Sequence, residues 1–146
     1  MRKIIAFIDG ASRGNPGPAG AGILLLDENG EEIIRMSIPI EHATNNVAEY
    51  RALIAALEKA KALKANQIEI FSDSELLVKQ MRGEYKIKNP ALISIAAKAH
   101  TLLRHFSSYR FSHILREKNR IADGLAGNAA AISSEASIKK HGLPLD

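Results

Sequence analysis

The sequence predicts an α/β domain built on a mixed sheet, and three observations carry that prediction. Residues 3–8 (KIIAFI) are apolar on both faces of their alternation, the pattern of a strand covered on two sides. Two further apolar runs, AGAGILLLD and EIIRMSIPI, flank Glu28-Asn29-Gly30-Glu31, and an Asn-Gly pair between such runs is a strong hairpin signal. From Val47 the apolar spacing becomes helical, and a strand-like run returns at Gln67–Asp73. Strand, helix, strand implies a right-handed crossover, and so a parallel pair beside the antiparallel hairpin.

The first strand is expected to be central and to end at Asp9-Gly10, because the prolines and glycines of Ser12-Arg13-Gly14-Asn15-Pro16-Gly17-Pro18 forbid regular structure. The hairpin supplies the second and third strands. Val47, Tyr50, Leu53, Ile54, Leu57 and Ala60 then fall on one stripe of a long helix that breaks near Asn66. Gln67–Asp73 is the fourth strand, and a short helix runs from about Ser74 to Met81. Asn89-Pro90 opens a helix carrying Leu92, Ile95, Ala96, Ala99, Leu102 and Leu103. YRFSHIL reads as the fifth strand, and about Arg120–Ala131 as a last helix with Ile121, Leu125 and Ala129 inward. Residues 1–131 make one domain, and residues 132–146, whose periodicity is weak, a tail expected to fray.

Composition narrows the chemistry. At 146 residues, 46% hydrophobic and 25% charged, the chain has the apolar material to order one domain. It has no cysteine, which excludes disulfides, thiolate zinc sites, iron–sulfur clusters and a cysteine nucleophile. No apolar run approaches a membrane span and the N-terminus turns acidic early, so the expected location is cytoplasmic, with no membrane partner. The net charge of +4 is unevenly spread: residues 79–120 hold ten basic and two acidic side chains, a local +8 that leaves −4 elsewhere. Such a segment suits an anionic partner such as nucleic acid, or a solvated helix face.

Four carboxylates stand where burial is expected: Asp9, Glu49, Asp73 and Asp123. Asp9 ends the central strand, Asp73 ends the fourth strand at the same edge, and Glu49 and Asp123 lie in the first turns of helices, so the four can converge at the carboxyl ends of the strands. Crowded carboxylates need a cation, and hard oxygen donors suit Mg²⁺ or Mn²⁺. Two such ions about 4 Å apart can bind both the attacking and the leaving oxygen of a phosphoryl displacement. The competing reading is capping: Asn46 with Glu49, and Ser72 with Glu75, both fit helix-start boxes. Asp9 has no capping role. Neither G-x-x-x-x-G-K-[ST] nor G-x-G-x-x-G is present, and the five histidines show no zinc spacing.

FIDGASRGNPGPAGAG, TNNVAEYRALIAAL, IEIFSDSELLVKQMRGEYKIKNP and FSHILREKNRIADGLA, in that order, resemble the type 1 ribonuclease H family from the first strand to residue 131. The resemblance implies a ribonuclease H-like fold, a five-stranded mixed sheet with helices on both faces. It implies that residues 1–131 are a catalytic domain and that Asp9, Glu49, Asp73 and Asp123 form the family's metal-binding D-E-D-D set. Asn15, Thr44, Asn45, Asn46 and Ser74 match its nucleic-acid contacts, and Asn119, which matches the asparagine of its R-E-x-N-x-x-A-D run, is expected to contact the substrate with them. The implied activity is endonucleolytic hydrolysis of the RNA strand of RNA/DNA hybrids with two Mg²⁺ or Mn²⁺ ions, leaving 3′-hydroxyl and 5′-phosphate ends. Asp9 would bridge the ions, Glu49 and Asp73 would serve the leaving oxygen, and Asp123 the water. Lys86 and Lys88 in the basic segment would add backbone affinity. Double-stranded RNA stays open as a further substrate, and a monomer is expected.

The chain departs from the family's best-studied bacterial members. The loop that carries a mobile histidine there has little room at Leu115-Arg116-Glu117-Lys118, and His113, ten residues before Asp123, reads as a structural strand residue. Residues 83–90 replace a tryptophan-rich basic protrusion, as in a shorter subgroup of archaea and some bacteria. Leu115, where that subgroup often has proline, and Gly124 are further oddities. The rival from another class is a hybrid-binding module that has lost catalysis, which the intact carboxylate set disfavours. A related exonuclease or integrase is disfavoured by the G-N-P-G-P and T-N-N motifs.

Overall fold

The computed structural model describes residues 2–141. Its elements are β1 (Lys3–Ser12), β2 (Gly17–Asp27), β3 (Glu32–Ala43), α1 (Asn45–Ala62), β4 (Gln67–Ser72), α2 (Glu75–Met81), α3 (Pro90–Leu103), β5 (Ser108–His113) and α4 (Arg120–His141), with a 3₁₀ turn at Arg116–Lys118. The sheet order is β3-β2-β1-β4-β5, antiparallel on the hairpin side and parallel from β1 through β4 to β5. β1 is central, as its two apolar faces predict. At the hairpin turn Asp27 Oδ1 accepts from the amides of Asn29 and Glu31, both at 2.9 Å, and Gly30 adopts a φ of 84°.

The parallel register sets up the site. Ile8 pairs with Ser72 and Ser72 with His113, so Asp9 and Asp73 are the next residues off two adjacent strands at one edge of the sheet.

One face of the sheet buries Ile4, Ala6, Ile8, Ile68 and Ile70 under α1, which contributes Tyr50, Leu53, Leu57 and Ala60. α3 packs against α1, burying Leu92, Ala96, Ala99 and Leu103. On the other face α4 crosses β2 and β3 at close range. A Cβ on Gly22 would strike the carbonyl oxygen of Ala122, and one on Gly20 that of Ala126. The helix meets this glycine groove with small residues, Ala122, Ala126, Ala129, Ala130 and Ser133. The expected inward stripe is corrected accordingly: Ala129 is buried, but Ile121 is 41% exposed, because the groove has no room for a branched side chain.

α4 also continues to His141 instead of stopping near Ala131. The Ser133 hydroxyl donates to the Ile40 carbonyl and Lys140 pairs with Glu41 at 3.2 Å, tying the added turns to β3. The rest of the tail expected to fray, residues 142–146, lies outside the described residues. Among the described residues no helix is long and apolar enough to cross a membrane.

Candidate active site

Two strand ends and two helix starts meet at the edge set by the register. Asp9 is 7% exposed, and its partner across the antiparallel pair is Gly22, on the face that α4 covers. Gly10 follows, and a Cβ there would collide with the backbone of Ala48 and Glu49. Its hydrogen lets α1 lie against β1 and brings Glu49 beside Asp9. Asp73 leaves β4 directly before α2. Asp123 sits in the first turn of α4, its amide donating to the Asn119 carbonyl at 3.0 Å.

The four carboxylates open onto one cavity of about 390 Å³, lined also by Gly10, Ala11, Ser12, Asn45 and Arg116. The capping reading is overturned for Glu49: α1 is capped by Thr44, whose Oγ1 accepts from the Val47 amide at 3.2 Å. α2 is capped by Ser74, whose Oγ accepts from Leu77 at 3.2 Å, while Ser72 Oγ accepts from the Ser74 amide at 3.0 Å. Glu75 is exposed and pairs with Lys79 at 2.9 Å.

The polar residues around the cavity are stitched together. Asn15 Oδ1 accepts from the Asn45 amide at 2.9 Å, Asn45 Oδ1 accepts from the Ser12 amide at 2.8 Å, and Ser12 Oγ donates to the Ala43 carbonyl at 2.6 Å. The two asparagine oxygens are therefore engaged in holding the loops. Their Nδ2 groups make no hydrogen bond among the described residues and remain available as donors. Asn46 is exposed at the start of α1 and does not line the cavity. Lys86 and Lys88 are exposed in the irregular segment between α2 and α3, away from the cavity lining.

One expectation changes. Asn119, expected to contact nucleic acid, is 1% exposed; its Nδ2 donates to the Ile8 carbonyl at 2.9 Å, tying the approach to α4 to the strand that ends in Asp9. The R-E-x-N pattern shows the residue but not its burial. His113, expected to be a structural strand residue, is the exposed last residue of β5, pairs with Ser72 and lies outside the cavity; the strand ends there instead of continuing through Leu115. A residue the sequence reading left in the background enters instead: the 3₁₀ turn brings Arg116 to the rim, with Nη2 3.5 Å from Asp123 Oδ1. The signal was its place seven residues before Asp123 in the same run.

The electrostatics show what the cluster lacks. Burial first, then the neighbouring carboxylates of Asp73 and Asp123, push Asp9 up to about 8. Burial raises Glu49 to about 7 against the pull of the Ser74 hydroxyl, and burial and Asp123 raise Asp73 against Arg116 and Asn119. Glu49 Oε2 is buried with no hydrogen-bond partner. A buried acceptor without a donor, among carboxylates held partly protonated for want of positive charge, fits a divalent cation, and the donors are all hard oxygens. Among the described residues no three His, Asp or Glu side chains stand close enough together to hold a metal ion by themselves. Mg²⁺ commonly keeps several waters and takes phosphate oxygens beside one or two carboxylates, so its binding does not require a complete protein cage.

Known proteins share this arrangement of strands and helices. A family profile described as reverse transcriptase-like matches residues 7–129. Ribonuclease HI of Halobacterium salinarum is 42% identical over 127 residues, covering 87% of this chain and 64% of that protein. Among solved structures, the N-terminal RNase H domain of a Mycobacterium tuberculosis protein superposes with a TM-score of 0.91 at 37% identity, over 94% of this chain and 99% of that one. LC11 RNase H1, solved in complex with an RNA/DNA hybrid, gives 0.84 at 42% identity, over 89% and 98%. The chain spans 37% of the length of the mycobacterial relatives it matches and about two thirds, 64%, of the Halobacterium one.

Proposed function

The chain belongs to the ribonuclease H family, and from that premise we propose that it hydrolyses the RNA strand of RNA/DNA hybrids endonucleolytically, with its catalytic machinery inside residues 1–131. The observation that carries this reading is the single cavity into which Asp9, Glu49, Asp73 and Asp123 open, with Glu49 Oε2 unpartnered. The relative solved with an RNA/DNA hybrid supports the choice of substrate.

Asp9, Glu49, Asp73 and Asp123 would hold the metal, in this reading two Mg²⁺ or Mn²⁺ ions. Bound there, the ions would polarise the scissile phosphate and lower the pKa of the attacking water. The chain's own part is positioning. Asn15 and Asn45 donate amide hydrogens across the shallow minor groove, where ribose 2′-hydroxyls and phosphate oxygens accept. Arg116 adds positive charge at the rim beside Asp123. Ser74 steadies Glu49. Water adds to phosphorus and the bond to the ribose 3′ oxygen breaks, so the products carry 3′-hydroxyl and 5′-phosphate ends. Exposed Lys86 and Lys88 supply salt-sensitive backbone affinity.

A cleavage assay on end-labelled hybrid with Mg²⁺ or Mn²⁺ tests the reading, with wild type and Asp9→Asn side by side. Wild type is expected to cut the RNA strand, and Asp9→Asn to lose more than the roughly 100-fold at the upper end for an outer-shell partner. A folded wild type that binds hybrid without cutting it supports the binding-module alternative. Near-normal cleavage by Asp9→Asn removes the carboxylate from the machinery.

A further inference from the structure

α1 carries Glu49 and α2 follows Asp73, yet the two helices come from separate stretches of chain and their starts must be held at a fixed separation. Tyr50 and Gln80 meet between them. Tyr50 Oη donates to Gln80 Oε1 at 2.8 Å, with Tyr50 1% and Gln80 9% exposed. Tyr50 is the residue after Glu49, so anchoring its ring fixes the stretch of helix that aims the carboxylate. Gln80 lies on the helix whose cap, Ser74, offers its hydroxyl to Glu49 and whose preceding residue is Asp73.

The surroundings are apolar: Leu53, Leu57, Leu77, Val78 and Met81 are all buried. A phenylalanine and a methionine would fill the same space, and a buried polar pair recovers its desolvation cost only through the bond it makes. What the pair adds over apolar packing is a fixed distance and direction between two side chains.

We propose that the Tyr50–Gln80 hydrogen bond is a positioning element of the carboxylate cavity, setting Glu49 against Asp73 and thereby the cavity's affinity for divalent cations. Neither residue reaches the cavity lining, and both act through Glu49. This role presupposes the metal-dependent reading above.

The test compares the full chain with Tyr50→Phe, Gln80→Met and the double variant. Mn²⁺ binding is measured by calorimetry without nucleic acid, melting without metal, and kcat and KM on hybrid. Each single variant is expected to bind Mn²⁺ about 10-fold more weakly, the scale of losing a group that orients a metal ligand. kcat should fall while KM for the hybrid holds, and the double variant should be no worse than either single, since all three lose one bond. Metal-free melting should drop by only about 2–4 °C. Wild-type Mn²⁺ affinity and kcat in Tyr50→Phe, despite lowered melting, overturn the proposal, as do fully additive losses in the double. If Tyr50→Phe does not fold, Gln80→Met, which leaves the ring in place, decides by the same readouts. A wild type that binds Mn²⁺ but leaves hybrid intact defeats the functional reading alone, and the Mn²⁺ comparison still decides the role of the pair.

Discussion

Asp9 follows five residues of apolar strand and is nearly buried, a position that costs free energy for any charged side chain without a partner. Its carboxyl is pushed up to about 8 and Glu49 to about 7, both by burial first. A raised carboxylate means the folded protein holds protons that the unfolded chain has released, so stability falls as pH rises through that window. Metal-free wild type is therefore expected to melt lower at pH 8 than at pH 5.5. Asp9→Asn should melt no lower than wild type at pH 8 and show a flatter dependence across the range, measured by calorimetry with a chelator present. A steeper dependence in the variant would mean that Asp9 is not the strained group. Single residues were unevenly legible. Asp9 stood out because an acidic residue ends a two-faced apolar strand. Thr44 and Asn119 were visible in their motifs, but whether a polar side chain faces solvent or the backbone depends on packing: Thr44 spends its hydroxyl on a cap and Asn119 its amide on β1.

At the scale of elements, α4 carries the fourth carboxylate on a helix that is poorly suited to being one. Gly124 and Gly127 are exposed, and a Cβ on either would meet nothing within 4 Å. Neither glycine answers a steric need, and each costs the helix about 1 kcal/mol relative to alanine. Gly127→Ala, about one turn beyond Asp123 and outside the cavity lining, is expected to raise the melting temperature by about 2–4 °C without changing hybrid cleavage. An unchanged or lower melting temperature would show that the glycine is needed. The β-hairpin, the parallel crossover and the starts of the helices were all readable, because turn chemistry and apolar period are local properties. The inward face and far end of α4 were not. Both depend on Gly20 and Gly22 in β2, far earlier in the chain, which admit alanines and turn Ile121 outward, and on Ser133 and Lys140 reaching β3.

For the whole molecule, the sheet order brings together groups drawn from residues 9 to 123, and the parallel register of β1 with β4, the close approach of α1 and α4 and the Asn119 bond to β1 hold them at one edge. The resemblance seen in the motifs covers the same span that the comparisons match, residues 7–129. The central claim is that this edge cuts RNA where it is paired with DNA, reading ribose through donors in the loops beside the carboxylates. In the proposed reading Asn15 and Asn45 would donate their amide hydrogens there, and the 2′-hydroxyl is the group that tells RNA from DNA. A single strand lacks the groove that would hold the scissile phosphate over the cavity, and positioning of this kind is worth several kcal/mol of a barrier, on the order of 7–11 at most. The most direct measurement is to map cuts in a duplex whose one strand is DNA with a short central run of ribonucleotides, with single-stranded RNA and all-DNA duplex as comparisons, in Mg²⁺ or Mn²⁺. The account predicts cuts only within the ribonucleotide run, poor cutting of single-stranded RNA and none of all-DNA duplex; efficient cutting of all-DNA duplex, or equal rates on single-stranded RNA and hybrid, would contradict it.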